Sequence, residues 1–103
     1  MKEVQEKIKL FCKANALESP VEHRMLDLVS EVGELSKDVL KMSDYGRKEF
    51  KLNSEVELEL GDVLYSLITV ANSLDVSLEE ALEKVVAKYE ARLKKGSAGS
   101  EVE

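Results

Sequence analysis

Two short runs of this sequence carry acids at matched spacing: Glu31-Val-Gly-Glu-Leu35 and Glu59-Leu-Gly-Asp-Val63. Each sets two carboxylates three residues apart with a glycine between them, and on a helix such a pair shares one face. Like charges at that spacing cost a few tenths of a kcal/mol, roughly, and a glycine inside a helix costs about 1 kcal/mol relative to alanine. A divalent cation would reverse the sign of the first cost. Carboxylate oxygens are the ligands that Mg²⁺ and Mn²⁺ prefer, and an i, i+3 pair offers two of them side by side. The glycines would let a second backbone, or a ligand, come close. A solvated acidic face is the competing reading, and one E-x-x-E alone does not exclude it. Repetition with glycine at the same place in both runs is what favours a metal.

These residues need helices to position them. The first helix is expected over roughly Lys2 to Ala14, with Val4, Ile8 and Phe11 as a narrow apolar stripe beside Cys12. Three capping-box patterns follow: Ser19-Pro-Val-Glu22, Ser54-Glu-Val-Glu57 and Ser77-Leu-Glu-Glu80. They start helices expected to run to about Met42, Leu74 and Lys95. On a wheel of about 100° per residue, Asp27, Glu34 and Asp38 fall within roughly 60° of Glu31. Leu28, Val32, Leu35 and Val39 make the core side. In the third helix Glu55, Asp62, Ser66, Thr69 and Ser73 share the side of Glu59, while Val56, Leu60, Val63, Leu67, Val70 and Leu74 form the apolar face. Two such helices packed antiparallel would bring their acids to one edge. Asp75-Val76 is so short a connection that the third and fourth helices are expected to lie antiparallel against each other. Leu78, Leu82, Val85, Tyr89 and Leu93 would be the buried stripe of the fourth.

Composition agrees with an all-α fold: 103 residues, 44% apolar and 35% charged, with five Gly and one Pro. One domain is expected over residues 1–95, followed by a small polar tail at 96–103. The core is thin, so a partner subunit would help bury surface. The net charge of -6 argues against a nucleic-acid polymer as partner. The charged N-terminus and the lack of a long apolar run point away from secretion and a membrane span, and Cys12, the sole cysteine, suits the cytoplasm. Walker loops, nucleophile elbows and zinc spacings are missing.

The combined pattern, E-x-x-E, about two dozen residues, then E-x-x-D, resembles the metal motif of the all-α nucleoside triphosphate pyrophosphohydrolases, in particular the MazG-like branch. Glu59 to Asn72 and Val76 to Leu82 are similar to the family's usual text, and the likeness extends to about Lys95. The resemblance implies a four-helix bundle-like subunit that assembles as a homodimer or homotetramer. It implies hydrolysis of a (deoxy)nucleoside triphosphate to the monophosphate and pyrophosphate. Glu31, Glu34, Glu59 and Asp62 would hold Mg²⁺, or Mn²⁺, and carry the chemistry. Lys88 and Arg92, four apart on the last helix, would lie near the triphosphate, and Asn72 would contact the nucleotide as polar residues there do in some relatives. Phosphoribosyl-ATP pyrophosphohydrolase shares the architecture and is an alternative, though its first acidic motif is usually richer in consecutive glutamates. A non-catalytic helical oligomerisation module is the other alternative; retention of all four acids, Lys88 and Arg92 argues against it.

Other residues have bland readings beside functional ones. Asn72 suits a helix surface or an interface equally well. Tyr45 or Tyr65 could stack on a base, but aromatics at such positions are more often packing residues. Lys37, Arg47, Lys48 and Lys51 could attract phosphates or simply be solvated. Asp38 extends the acidic stripe as a weaker ligand candidate. His23 is expected at a surface or interface, and Cys12 in the core.

Overall fold

A computed structural model of the chain describes residues 1–96. The described residues form four helices and no strands: α1 (Lys2–Ala14), α2 (Val21–Lys41), α3 (Val56–Ser73) and α4 (Leu78–Lys94). All four lie where periodicity and caps placed them, within a residue or two. The caps themselves differ. Only Ser77 acts as expected, its Oγ accepting the Glu80 N–H at 3.2 Å. Helix α2 starts after Pro20 without a side-chain cap, because Ser19 stands one residue too early. At α3 the work passes to Asn53, whose Oδ1 accepts the Glu55 N–H at 2.7 Å.

Helix α3 is the central element. Along α1, Gln5 meets Asn72 and Cys12 meets Tyr65, so α1 runs antiparallel to α3. Along α2, Asp38 meets Asn53 and Arg24 sits beside Tyr65, so α2 is antiparallel to α3 as well. Flanked on two sides, α3 supplies most of the core: Ser66, Ile68, Thr69, Val70 and Ala71 are buried, Ile68 at 1% exposure. Ser66 and Thr69 were expected on the acid side. They are buried because α1 covers the C-terminal half of that helix, and Thr69 settles its hydroxyl by donating to the Ser66 carbonyl at 2.7 Å. Cys12 is buried as expected, and Arg24 beneath it donates to the Leu17 carbonyl, tying the α1–α2 turn to α2.

Helix α4 corrects the sequence reading. It packs along none of the other helices, and its expected stripe is open, with Leu82 at 61% and Leu93 at 63% exposure. Leu60, Leu67 and Leu74 of the expected α3 face are exposed too. A short connection forces two helices to be neighbours only if the turn folds back, and this one does not. The radius of gyration is 16.9 Å, against about 13 Å for a compact domain of this length.

Candidate active site

Helices α2 and α3 bring the two acidic motifs together. Glu59 is half-buried at the centre, and its carboxyl is pushed above the ordinary carboxylate range. Desolvation is the largest cause, followed by the charges of Asp38, Glu34, Asp62 and Glu31 in that order. The other three acids of the paired motif therefore all act on Glu59, and Asp38, outside the motif, acts on it more strongly than any of them.

Asp38 is held from one side only. Its Oδ1 accepts from Asn53 Nδ2 at 3.3 Å, while its Oδ2 is buried without a hydrogen-bond partner among the described residues. Burying an unpaired carboxylate oxygen is costly, and a cation would relieve it. The donor set, all carboxylate oxygen, suits a hard divalent ion. Among the described residues no three such side chains converge into a finished cage. The donors are gathered on facing helices but splayed, as mutual repulsion favours, and glutamate side chains have the rotamer freedom to close around an ion.

The glycines do not serve a close approach within the subunit. A Cβ at Gly33 or at Gly61 would meet nothing within 4 Å. Nor does the subunit bring every expected binding residue to the acids. Lys88 and Arg92 are on α4, both drawn to the ring of Tyr89, with the Lys88 Nζ 5.2 Å and the Arg92 guanidinium carbon 5.6 Å from its centroid. Both are exposed and share that one ring. Asn72 lies ten residues beyond Asp62, about 15 Å along α3. Its amide is engaged with α1: Oδ1 accepts from Gln5 Nε2 and Nδ2 donates to the Gln5 carbonyl, each at 3.0 Å. Tyr65 and Cys12 share a hydrogen bond at 3.3 Å, which with burial pushes the phenol's pKa up. Tyr45 and His23 are exposed.

Sequence reading did not single out Asn53, Arg24 or Gln5. An Asn two residues before a helix is a recognisable turn signal. A buried Gln or Arg has no sequence signature, because polar residues are ordinarily exposed.

Residues 20–97 match the MazG nucleotide pyrophosphohydrolase domain. Over 71 residues the chain is 44% identical to the uncharacterized protein YpjD of Bacillus subtilis (strain 168), a match that spans 66% of this chain and 62% of that protein's length. Two solved structures superpose with a TM-score of 0.71 each. One is the Bacillus-conserved MazG protein, a nucleotide pyrophosphohydrolase, at 31% identity over 85% of this chain and 86% of that one. The other is YPJD from Bacillus subtilis, a candidate pyrophosphatase, at 39% identity over 89% of this chain and 94% of that one. With acids paired on facing helices and the matched domain spanning α2 to α4, the chain belongs to the MazG nucleotide pyrophosphohydrolase family.

Proposed function

We propose that the chain hydrolyses a (deoxy)nucleoside triphosphate to the monophosphate and pyrophosphate, using Mg²⁺ or Mn²⁺ held by Glu31, Glu34, Glu59 and Asp62. The observation that carries this is the convergence of those acids, and of Asp38, on Glu59. A bound divalent ion supplies charge screening for the phosphates and a more acidic water. Water oxygen forms a bond to the α-phosphorus as the bond to the bridging oxygen breaks. Pyrophosphate leaves, and the proton of the attacking water passes to a carboxylate of the cluster. Asn53 keeps Asp38 turned toward the cluster. Lys88 and Arg92 stabilise negative charge gathering on the leaving pyrophosphate.

Within one subunit that last pair stands apart from the acids, so the reading requires a second copy. Support comes from area. The chain exposes 7800 Å², where about 5,800 Å² is expected of a compact monomer of its mass. The excess exceeds the roughly 800 Å² per partner of a stable interface. A homodimer or homotetramer would cover Leu82, Val86 and Leu93 while bringing the Tyr89-centred cations of one copy toward the acids of another. Residues 1–95 would be the catalytic unit; residues 97–103 of the expected tail lie outside the described residues. The free thiol of Cys12 is in keeping with a cytoplasmic enzyme, and among the described residues no helix is long and apolar enough to cross a membrane.

The test is to incubate purified chain and Mg²⁺ with the eight common nucleoside triphosphates, several damaged ones and phosphoribosyl-ATP, detecting pyrophosphate. Release from triphosphates is expected. Release from phosphoribosyl-ATP alone would transfer the assignment to that reaction, and a well-folded oligomer inert toward all of them would overturn catalysis.

A further inference from the structure

A single side chain near the start of α1 reaches across to the turn between α3 and α4. Gln5 is buried, and its amide spends three hydrogen bonds on three successive points of the α3–α4 elbow. Its Nε2 donates to Asn72 Oδ1 at 3.0 Å, on the last turn of α3, and to the Val76 carbonyl at 2.9 Å, in the turn. Its Oε1 accepts the Leu78 N–H at 2.8 Å, the first residue of α4. Asn72 returns a bond from Nδ2 to the Gln5 carbonyl. The Leu78 amide belongs to a first helical turn, where no intrahelical acceptor exists, so Gln5 satisfies a group the fold would otherwise leave open. The elbow needs holding: Asp75 sits at φ 55, in the left-handed region that a non-glycine residue adopts only at a cost. Two exposed ion pairs lie alongside, the Met1 ammonium with Glu79 at 3.3 Å and Lys2 with Glu80 at 3.5 Å; being exposed, they add little.

We propose that Gln5 is the positioning residue that holds α4 splayed from α3, so that its apolar stripe and the cations Lys88 and Arg92 reach a second copy instead of folding back on their own subunit. Folding back is the arrangement that the stripe and the short turn would otherwise favour, since it buries Leu82, Val85 and Leu93 within one chain. The catalytic consequence rests on the function proposed above; the brace itself does not. It differs from a general packing role because it acts on α4 alone and leaves the acids of α2 and α3 where they are.

The experiment compares the full chain with Gln5→Met, which keeps length and volume but removes the three side-chain hydrogen bonds, and with Gln5→Glu, which keeps the acceptor for Leu78 and removes both side-chain donors. Hydrogen exchange at the Leu78 amide, Mn²⁺ binding by electron paramagnetic resonance, sedimentation velocity and steady-state turnover of the triphosphate are measured together. Gln5→Met is expected to lose protection at Leu78 while amides within α2 keep theirs and Mn²⁺ affinity is unchanged. It should shift toward monomer, with kcat lower by about tenfold to a hundredfold from misplaced cations. Gln5→Glu should keep protection at Leu78 but, lacking the bonds to Asn72 and Val76, lose turnover in part. Wild-type assembly, Leu78 protection and kcat in Gln5→Met would overturn the proposal. Protection lost across α2 as well would also overturn it, by making Gln5 a general core residue. Should the wild-type chain sediment as a monomer, the assembly reading falls, and the brace stands or falls on the Leu78 amide and the chain's radius of gyration.

Discussion

Glu59 carries an unusual load for one side chain. Four neighbouring carboxylates and partial desolvation all press its proton on. Because its folded-state pKa is raised, ionising it costs stability. That cost is absent at low pH, grows as pH rises through the unfolded and then the folded value, and persists above both. Glu59→Gln is therefore expected to raise the Tm of the metal-free protein near neutral pH, and the gain should shrink as the pH falls and wild-type Glu59 takes its proton. The same substitution should abolish metal-dependent pyrophosphate release with helix content intact by circular dichroism. Thermal melts at several pH values in a chelator, paired with an activity assay, check both halves. Full activity in Glu59→Gln and in Asp62→Asn would sink the assignment of the site.

At the scale of elements, each helix gives a separate handle. Ser77 is the one capping box that forms its expected side-chain bond. Ser77→Ala should cost about 1 kcal/mol, read by urea titration, with the first turn of α4 losing amide protection. Gly33 sits in mid-α2 with open space where a Cβ would go. Gly33→Ala should accordingly stabilise the isolated subunit by about 0.5–1 kcal/mol through helix propensity alone. A loss instead, in protein diluted to its smallest species, would mean that α2 is packed more tightly there than the subunit indicates. The loop between α2 and α3 makes its own argument for rigidity. Asp44, Tyr45 and Gly46 are successively left-handed, at φ 48, 59 and 88, and the segment is closed by Lys51 N–H to the Met42 carbonyl at 2.8 Å. Glycine answers the need only at the third position. The two non-glycine residues are held by the hydrogen bonds around them, and through Asn53 this loop delivers the contact to Asp38.

The described residues make an open molecule, with a radius of gyration of 16.9 Å. Apolar residues on α3 and α4 face outward while the buried apolar core is short: Cys12, Met42, Ile68, Val70 and Ala71 among the described residues. Sedimentation equilibrium is expected to show at least a dimer, with a Tm that rises with protein concentration. Leu82→Glu combined with Leu93→Glu should yield a soluble helical monomer with much reduced turnover, while Mn²⁺ binding to the α2–α3 acids is retained. That split would separate a metal site complete within one subunit from a substrate site that is not.

Local rules were enough for much of this protein. Helical periodicity and chain breakers determined four helices and their bounds, because i, i+3 and i+4 spacing and turn residues act within a few positions. The wheel alone determined that Glu31, Glu34, Glu59 and Asp62 share matched edges. Tertiary structure decided which faces were covered. It buried Ser66 and Thr69 and left Leu82 and Leu93 outside, because burial depends on how many neighbours an element has, and α3 has two where α4 has none along its length. It also decided the path of α4. A two-residue connection limits how far apart two helices can start but says nothing of the angle between them; that angle is set by hydrogen bonds from Gln5, sixty-seven positions before Asn72, where no local pattern reaches.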